Sequence, residues 1–155
     1  MSPQVLVVHE RIGHWARQVR PRLSDRPLRL IQTRSGADLE TALAGAGSAC
    51  PVVLIDLARR VRAGLEDLER ASRVAPESLV LVLDPDRHDG VALLARELGA
   101  THVLSGPVPP PDVAALLVRW LALSPKRAES AGWCGPEPEQ VAPEPWNWLA
   151  PLLKS

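Results

Sequence analysis

Several apolar runs in this chain stop on residues that carry charge or bind cations. VLVV (5–8) is followed by His9 and Glu10, VVLI (52–55) by Asp56, and LVLVL (79–83) by Asp84. A further run, HVL (102–104), gives way to Ser105, Gly106 and Pro107. Carboxylates brought together from separate strand ends could bind a hard divalent cation, which prefers oxygen ligands, form the remnant of an acidic pocket, or simply be solvated loop residues. A histidine beside a glutamate also raises the question of zinc. The helical zinc motif needs two histidines four residues apart on one helix face. His9 and His14 are five apart and His9 closes a strand, so no metal site is expected there.

Other chemical motifs are weak or missing. Cys50 and Cys134 are too far apart in sequence to match a zinc spacing. The stretch DRHDG (86–90) is one residue short of the Asp-x-His-x-x-Gly cobalamin motif and follows the fourth apolar run rather than the first; Asp86 and Asp89 are read as turn and helix-cap residues. The glycines of RSGAD and LAGAGSA fit neither phosphate-loop fingerprint. Ser105 has no evident base for nucleophilic catalysis. No catalytic residue and no cofactor are therefore expected, with a small α/β enzyme using Asp56 as the rival reading, since fold alone does not exclude one.

Strands and helices must position these residues. The apolar runs are mostly continuous rather than alternating, as in strands covered on both faces of a parallel sheet. Between them lie amphipathic stretches. RIGHWARQVRPRL puts Ile12, Trp15, Ala16 and Val19 on one side, and RRVRAGLEDLERASRV repeats Val61, Leu65 and Leu68 at helical spacing. GADLETALAGAG closes on Gly45 and Gly47, DGVALLARELGA stops at Gly99, and PPDVAALLVRWLAL opens on prolines and Asp112. Trp120 falls at a core-facing position of the last of these. The order is strand then helix, five times over, which predicts a three-layer α/β domain around a parallel five-stranded sheet.

The bulk numbers agree with one such domain. The chain has 155 residues, is 46% hydrophobic, and balances 18 Lys+Arg against 18 Asp+Glu. Zero net charge gives no reason to expect a nucleic-acid or membrane partner. Arginines crowd the stretch 11–34, which is read as a solvated face. No apolar run approaches the length of a membrane span, and no export signal is visible, so a cytoplasmic location is expected. Lysine occurs only at 126 and 154, which points to a GC-rich, bacterial genome. From residue 124 on, the composition turns to Pro, Glu, Gly and Ser, so residues 1–123 are read as the domain and 124–155 as a tail of little regular structure. The exception is its end: Trp146, Trp148, Leu149, Leu152 and Leu153 are too apolar to stay solvated and are expected to dock, on their own domain or on a partner.

Over residues 4 to about 123 the sequence resembles the receiver domain of bacterial response regulators. The likeness rests on the strand–helix order, on VVLIDL with Asp56 at the phospho-acceptor position, and on GATHVLSGP around the fifth strand. It implies a flavodoxin-like fold with strand order 2-1-3-4-5. The family's functional residues transfer poorly. Two acidic residues that hold Mg²⁺ are here His9 and Glu10; a hydroxyl residue is here Asp84; a lysine is here Gly106. The resemblance therefore implies a degenerate acidic pocket and a signalling module that works by protein–protein contact without aspartyl phosphorylation. The alternative is a phosphorylatable single-domain regulator using Asp56. The expected partner is a protein, with a second copy of the chain among the candidates.

Overall fold

A computed structural model describes residues 3–47 and 50–132. The elements run β1 (Gln4–His9), α1 (His14–Val19), a 3₁₀ turn (Arg20–Leu23), β2 (Leu28–Thr33), α2 (Gly36–Ala44), β3 (Val52–Asp56), α3 (Val61–Val74), β4 (Leu79–Asp84), α4 (Val91–Glu97), β5 (His102–Ser105) and α5 (Pro110–Gly132). All strand pairings are parallel and the sheet order is β2-β1-β3-β4-β5, as the receiver resemblance implied.

The two faces of the sheet are separately packed, and neighbouring strand residues point to opposite sides. Val5, Val7, Val53 and Ile55 meet Leu39 and Leu43 of α2 and Leu65 and Leu68 of α3. Leu6, Val8, Val52 and Leu54 meet Ala16 and Val19 of α1 and Leu117, Trp120 and Leu121 of α5. Each fully buried Leu or Val contributes roughly 1.5–3 kcal/mol, so a strand buried on both faces cannot slip by one residue without heavy loss. The register therefore fixes which side chains emerge at the carboxyl edge: His9 lies opposite Thr33 and Ile55, and Asp84 opposite Ser105.

Helix ends depart from the sequence reading in two places. The first helix is shorter than its apolar periodicity suggests. Gly13, at φ 75°, precedes it in the left-handed region that glycine tolerates, so Ile12 falls outside the helix and is exposed, and Pro21 lies in the 3₁₀ turn that follows. At the other end, the last helix does not stop at residue 123 but runs on to Gly132 with Pro125 inside it. A proline within a helix has no N–H for the carbonyl four residues back, here that of Leu121. The side-chain amide of Gln4 donates to that carbonyl at 2.6 Å and replaces the missing bond. The Ser124 hydroxyl donates to the Cys50 carbonyl, and Arg127 donates to the Glu77 carbonyl at 3.3 Å. The segment holding Trp146, Trp148, Leu149, Leu152 and Leu153 lies outside the described residues.

Candidate functional site

The carboxyl edge of the sheet gathers His9, Glu10, Asp56 and Asp84, but the environments of the four differ. Glu10 is buried, with 2% of its surface exposed. One of its carboxylate oxygens accepts the Trp15 amide at 2.7 Å and the other the Ala16 amide at 2.8 Å. The first turn of a helix has free N–H groups and a partial positive charge, and Gly13 brings no side chain to cap them. Glu10 supplies that cap from within the β1–α1 loop.

His9 points to the opposite side of β1 and joins a buried polar chain. Its Nε2 lies 2.8 Å from Asp67 Oδ2 and its Nδ1 2.8 Å from Thr33 Oγ1. An ionised carboxylate only accepts, so Nε2 carries the proton, and in the neutral ring Nδ1 accepts the Thr33 hydroxyl. Asp67 also faces Arg70 at 3.8 Å, and Arg70 reaches Glu40 of α2 at 3.3 Å. Gly36 makes room for this: a Cβ there would sit 1.9 Å from the Arg70 guanidinium and 2.5 Å from Asp67 Oδ1.

Asp84 is fully buried and spends both oxygens on one partner. The His88 backbone N–H donates to Oδ2 at 2.8 Å, and His88 Nδ1 donates to Oδ1 at 2.7 Å. The hydrogen bond donated to Asp84 holds the His88 pKa above its ordinary 6.5. Within the acidic pocket, the Asp84 carboxylate is thus held by the half-exposed His88 ring. Gly106, at φ 88°, is covered by Arg87, whose guanidinium would lie 2.3 Å from a Cβ at that position. A cation thus stands at the position where the family resemblance called for lysine and the sequence offered none.

Asp56 is the half-buried carboxylate that keeps an uncommitted oxygen. Its Oδ1 accepts the Ala58 amide at 3.1 Å. Burial raises its pKa above the ordinary aspartate value, and the nearby Glu10 charge adds to the rise, while the Ala58 bond opposes it. It lies in a cleft with Arg11, Arg34 and Arg60, all three exposed. Arg59 and Arg87, in the two loops flanking this edge, are the non-glycine residues with positive φ among those described. Each such residue costs about 1 kcal/mol of backbone strain, and such strain gathers where a loop serves function.

The receiver resemblance implies Mg²⁺, and these residues do not fit it. Mg²⁺ takes several oxygens in octahedral geometry. Glu10 is committed to amide protons and His9 to Asp67, and among the described residues no three His, Cys, Asp or Glu side chains converge to hold one ion.

Sequence reasoning overlooked Thr33, Asp67, Arg87 and His88. Asp67 was open to detection: Gly64, Asp67, Leu68 and Ala71 follow helical spacing on the buried side of α3, so a charge there needs a partner. His88 stands four residues beyond Asp84, within reach across one turn. The packing of Arg87 on Gly106 carries no local sequence signal, because it depends on how β4 and β5 lie side by side.

No family model and no curated protein matches this sequence. Solved structures do match. The signal receiver domain of a protein from Vibrio parahaemolyticus described as a Luxo repressor is 16% identical, with 84% of this chain and 96% of that one covered and a TM-score of 0.65. A CheY-like response-regulator receiver domain protein from Methanospirillum hungatei is 16% identical over 81% and 98% of the two chains, with a TM-score of 0.63. A protein from Burkholderia pseudomallei described as pilus assembly-related is 25% identical over 77% and 90%, with a TM-score of 0.59. The chain has the receiver-domain fold, at low sequence identity to the domains that share it.

Proposed function

We propose that this chain is a receiver-like signalling module that acts through protein–protein contact and is not switched by phosphorylation of Asp56. The observation that carries the reading is the commitment of Glu10: both oxygens of the carboxylate nearest to a metal-ligand role hold the first turn of α1. Releasing it to a cation would leave the buried Ala16 amide without an acceptor, at a cost of about 1–3 kcal/mol, and the half-buried Trp15 amide as well. His9 contributes no second carboxylate and is turned toward Asp67. Attack of Asp56 on a phosphoryl donor would then proceed without a divalent cation to bridge and neutralise the developing charge. The fold needs no chemistry to present a recognition surface, and the likeness to a pilus assembly-related protein is in keeping with an assembly role.

Arg87 favours a second reading. Its guanidinium over Gly106 is a cation at the edge where a phosphoryl group on Asp56 would sit. In that reading the module is phosphorylatable, with Arg87 in place of lysine. Titration with MgCl₂ followed by amide NMR separates the two. The first reading expects no saturable shifts at Asp56, Glu10 or Ala58 below about millimolar Mg²⁺, the weak range for sites with few charged ligands. Micromolar saturation at those residues overturns it.

A further inference from the structure

The face of the molecule away from α5 carries an apolar groove between α3 and α4. Val61, Leu65, Leu94 and Leu98 line it, and Arg62, Glu66 and Glu69 stand on its rim, Arg62 paired with Glu66 at 3.1 Å. It is open to solvent along its length, with a volume of about 410 Å³. Leu94 is 42% exposed and the adjacent Leu93 64%. Neither is needed to close the core beneath, where Val91 and Ala95 already face the sheet.

The extension of α5 indicates what covers it. The helix crosses below the sheet, and Arg127 meets Glu77, in the turn after α3, with a guanidinium–carboxylate distance of 3.7 Å. The chain is thereby delivered to the end of the sheet at which α3 and α4 both finish. Residues 133–145 then precede the apolar stretch 146–153. Proline-rich chain extends about 3 Å per residue, so this spacer reaches some 40 Å. The groove is no longer than α3, whose 14 residues span about 21 Å. Trp146, Trp148, Leu149, Leu152 and Leu153 supply the apolar payload, and Lys154 follows them, opposite in charge to Glu69, while Glu66 is paired with Arg62. A tethered segment meets its groove at high effective concentration, which favours its own chain over another copy.

We propose that the α3–α4 groove seats segment 146–153 of the same chain. The inference is independent of whether Asp56 is phosphorylated. Disulfide trapping in the full chain tests it. Asn147→Cys is combined with Glu69→Cys on the groove rim, in a Cys134→Ser background, and oxidised at dilute protein concentration. Cys50 is buried and stays in place. The expected result is an intramolecular disulfide formed in about tenfold higher yield than with Arg119→Cys, an exposed site on α5, in place of Glu69→Cys. Leu94→Asp, a change at a half-exposed position that leaves the core intact, should bring that yield down to the Arg119→Cys level. Equal yields at both sites overturn the proposal. A disulfide between chains overturns it in favour of a second copy as occupant, and no disulfide at all in favour of a separate partner.

Discussion

At the scale of single residues, the carboxyl edge of the sheet keeps its polar side chains but gives most of them structural work. Glu10 is the clearest case. Glu10→Ala should destabilise the protein by about 1–3 kcal/mol in urea denaturation, the range for a lost helix cap with a charge-assisted bond. Glu10→Gln, with one acceptor oxygen left, should lose less. Asp56 behaves in the opposite way. Burial raises its folded pKa above the unfolded one, so ionising it opposes folding. That penalty is absent below the unfolded value near 4 and fully present once the pH has passed the folded value. Asp56→Asn, which keeps an acceptor for the Ala58 amide, should therefore raise the melting temperature at pH 7 by roughly 2–6 °C, and the gain should vanish toward pH 3. An unchanged melting temperature at pH 7 would contradict the burial of this carboxyl. For His88 the sign is reversed. Its folded pKa is raised, so the pair with Asp84 stabilises the fold below the unfolded value and the contribution disappears as pH rises through the folded one. The stability gap between the natural protein and His88→Gln should be widest in acid and should close above neutrality, as read by thermal melts across pH.

At the scale of elements, the proline in α5 makes a test of its own. The Gln4 side chain replaces the N–H that Pro125 lacks, so Gln4→Ala should cost about 1–2 kcal/mol in the natural sequence and much less in a Pro125→Ala background, where the helix satisfies Leu121 itself. A double-mutant cycle in urea reads the difference; additive effects would contradict the replacement. The same helix shows where sequence reading stops. The strands were legible because VLVV, VVLI and LVLVL are apolar on both faces, and only a covered parallel sheet accommodates that. The end of α5 was not, because Pro, Ser and Glu after Leu123 resemble a tail, and what holds them helical is a side chain more than a hundred residues earlier, Gln4, together with the Cys50 and Glu77 carbonyls. The site was legible in position and not in role. Strand ends and the order of strands place His9, Glu10, Asp56, Asp84 and Gly106 along one edge. Whether a carboxylate there faces a cleft or a helix N-terminus depends on the short loop between His9 and His14, and Arg87 finds Gly106 only across neighbouring strands.

At the scale of the whole molecule, the fold brings together one carboxylate with a free oxygen, a cation over Gly106 and a set of spent acidic groups, in an architecture shared with receiver domains. No helix among the described residues is long and apolar enough to cross a membrane. In the function proposed above, this arrangement presents a surface and does not accept a phosphoryl group. Incubation of the full chain with acetyl phosphate and Mg²⁺, followed by measurement of its intact mass, tests this. The expected result is an unmodified mass at every time point, for the natural chain and for Asp56→Asn alike. A stoichiometric phosphoryl adduct on the natural chain, absent from Asp56→Asn and diminished by Arg87→Ala, would contradict it and establish the phosphorylatable reading instead.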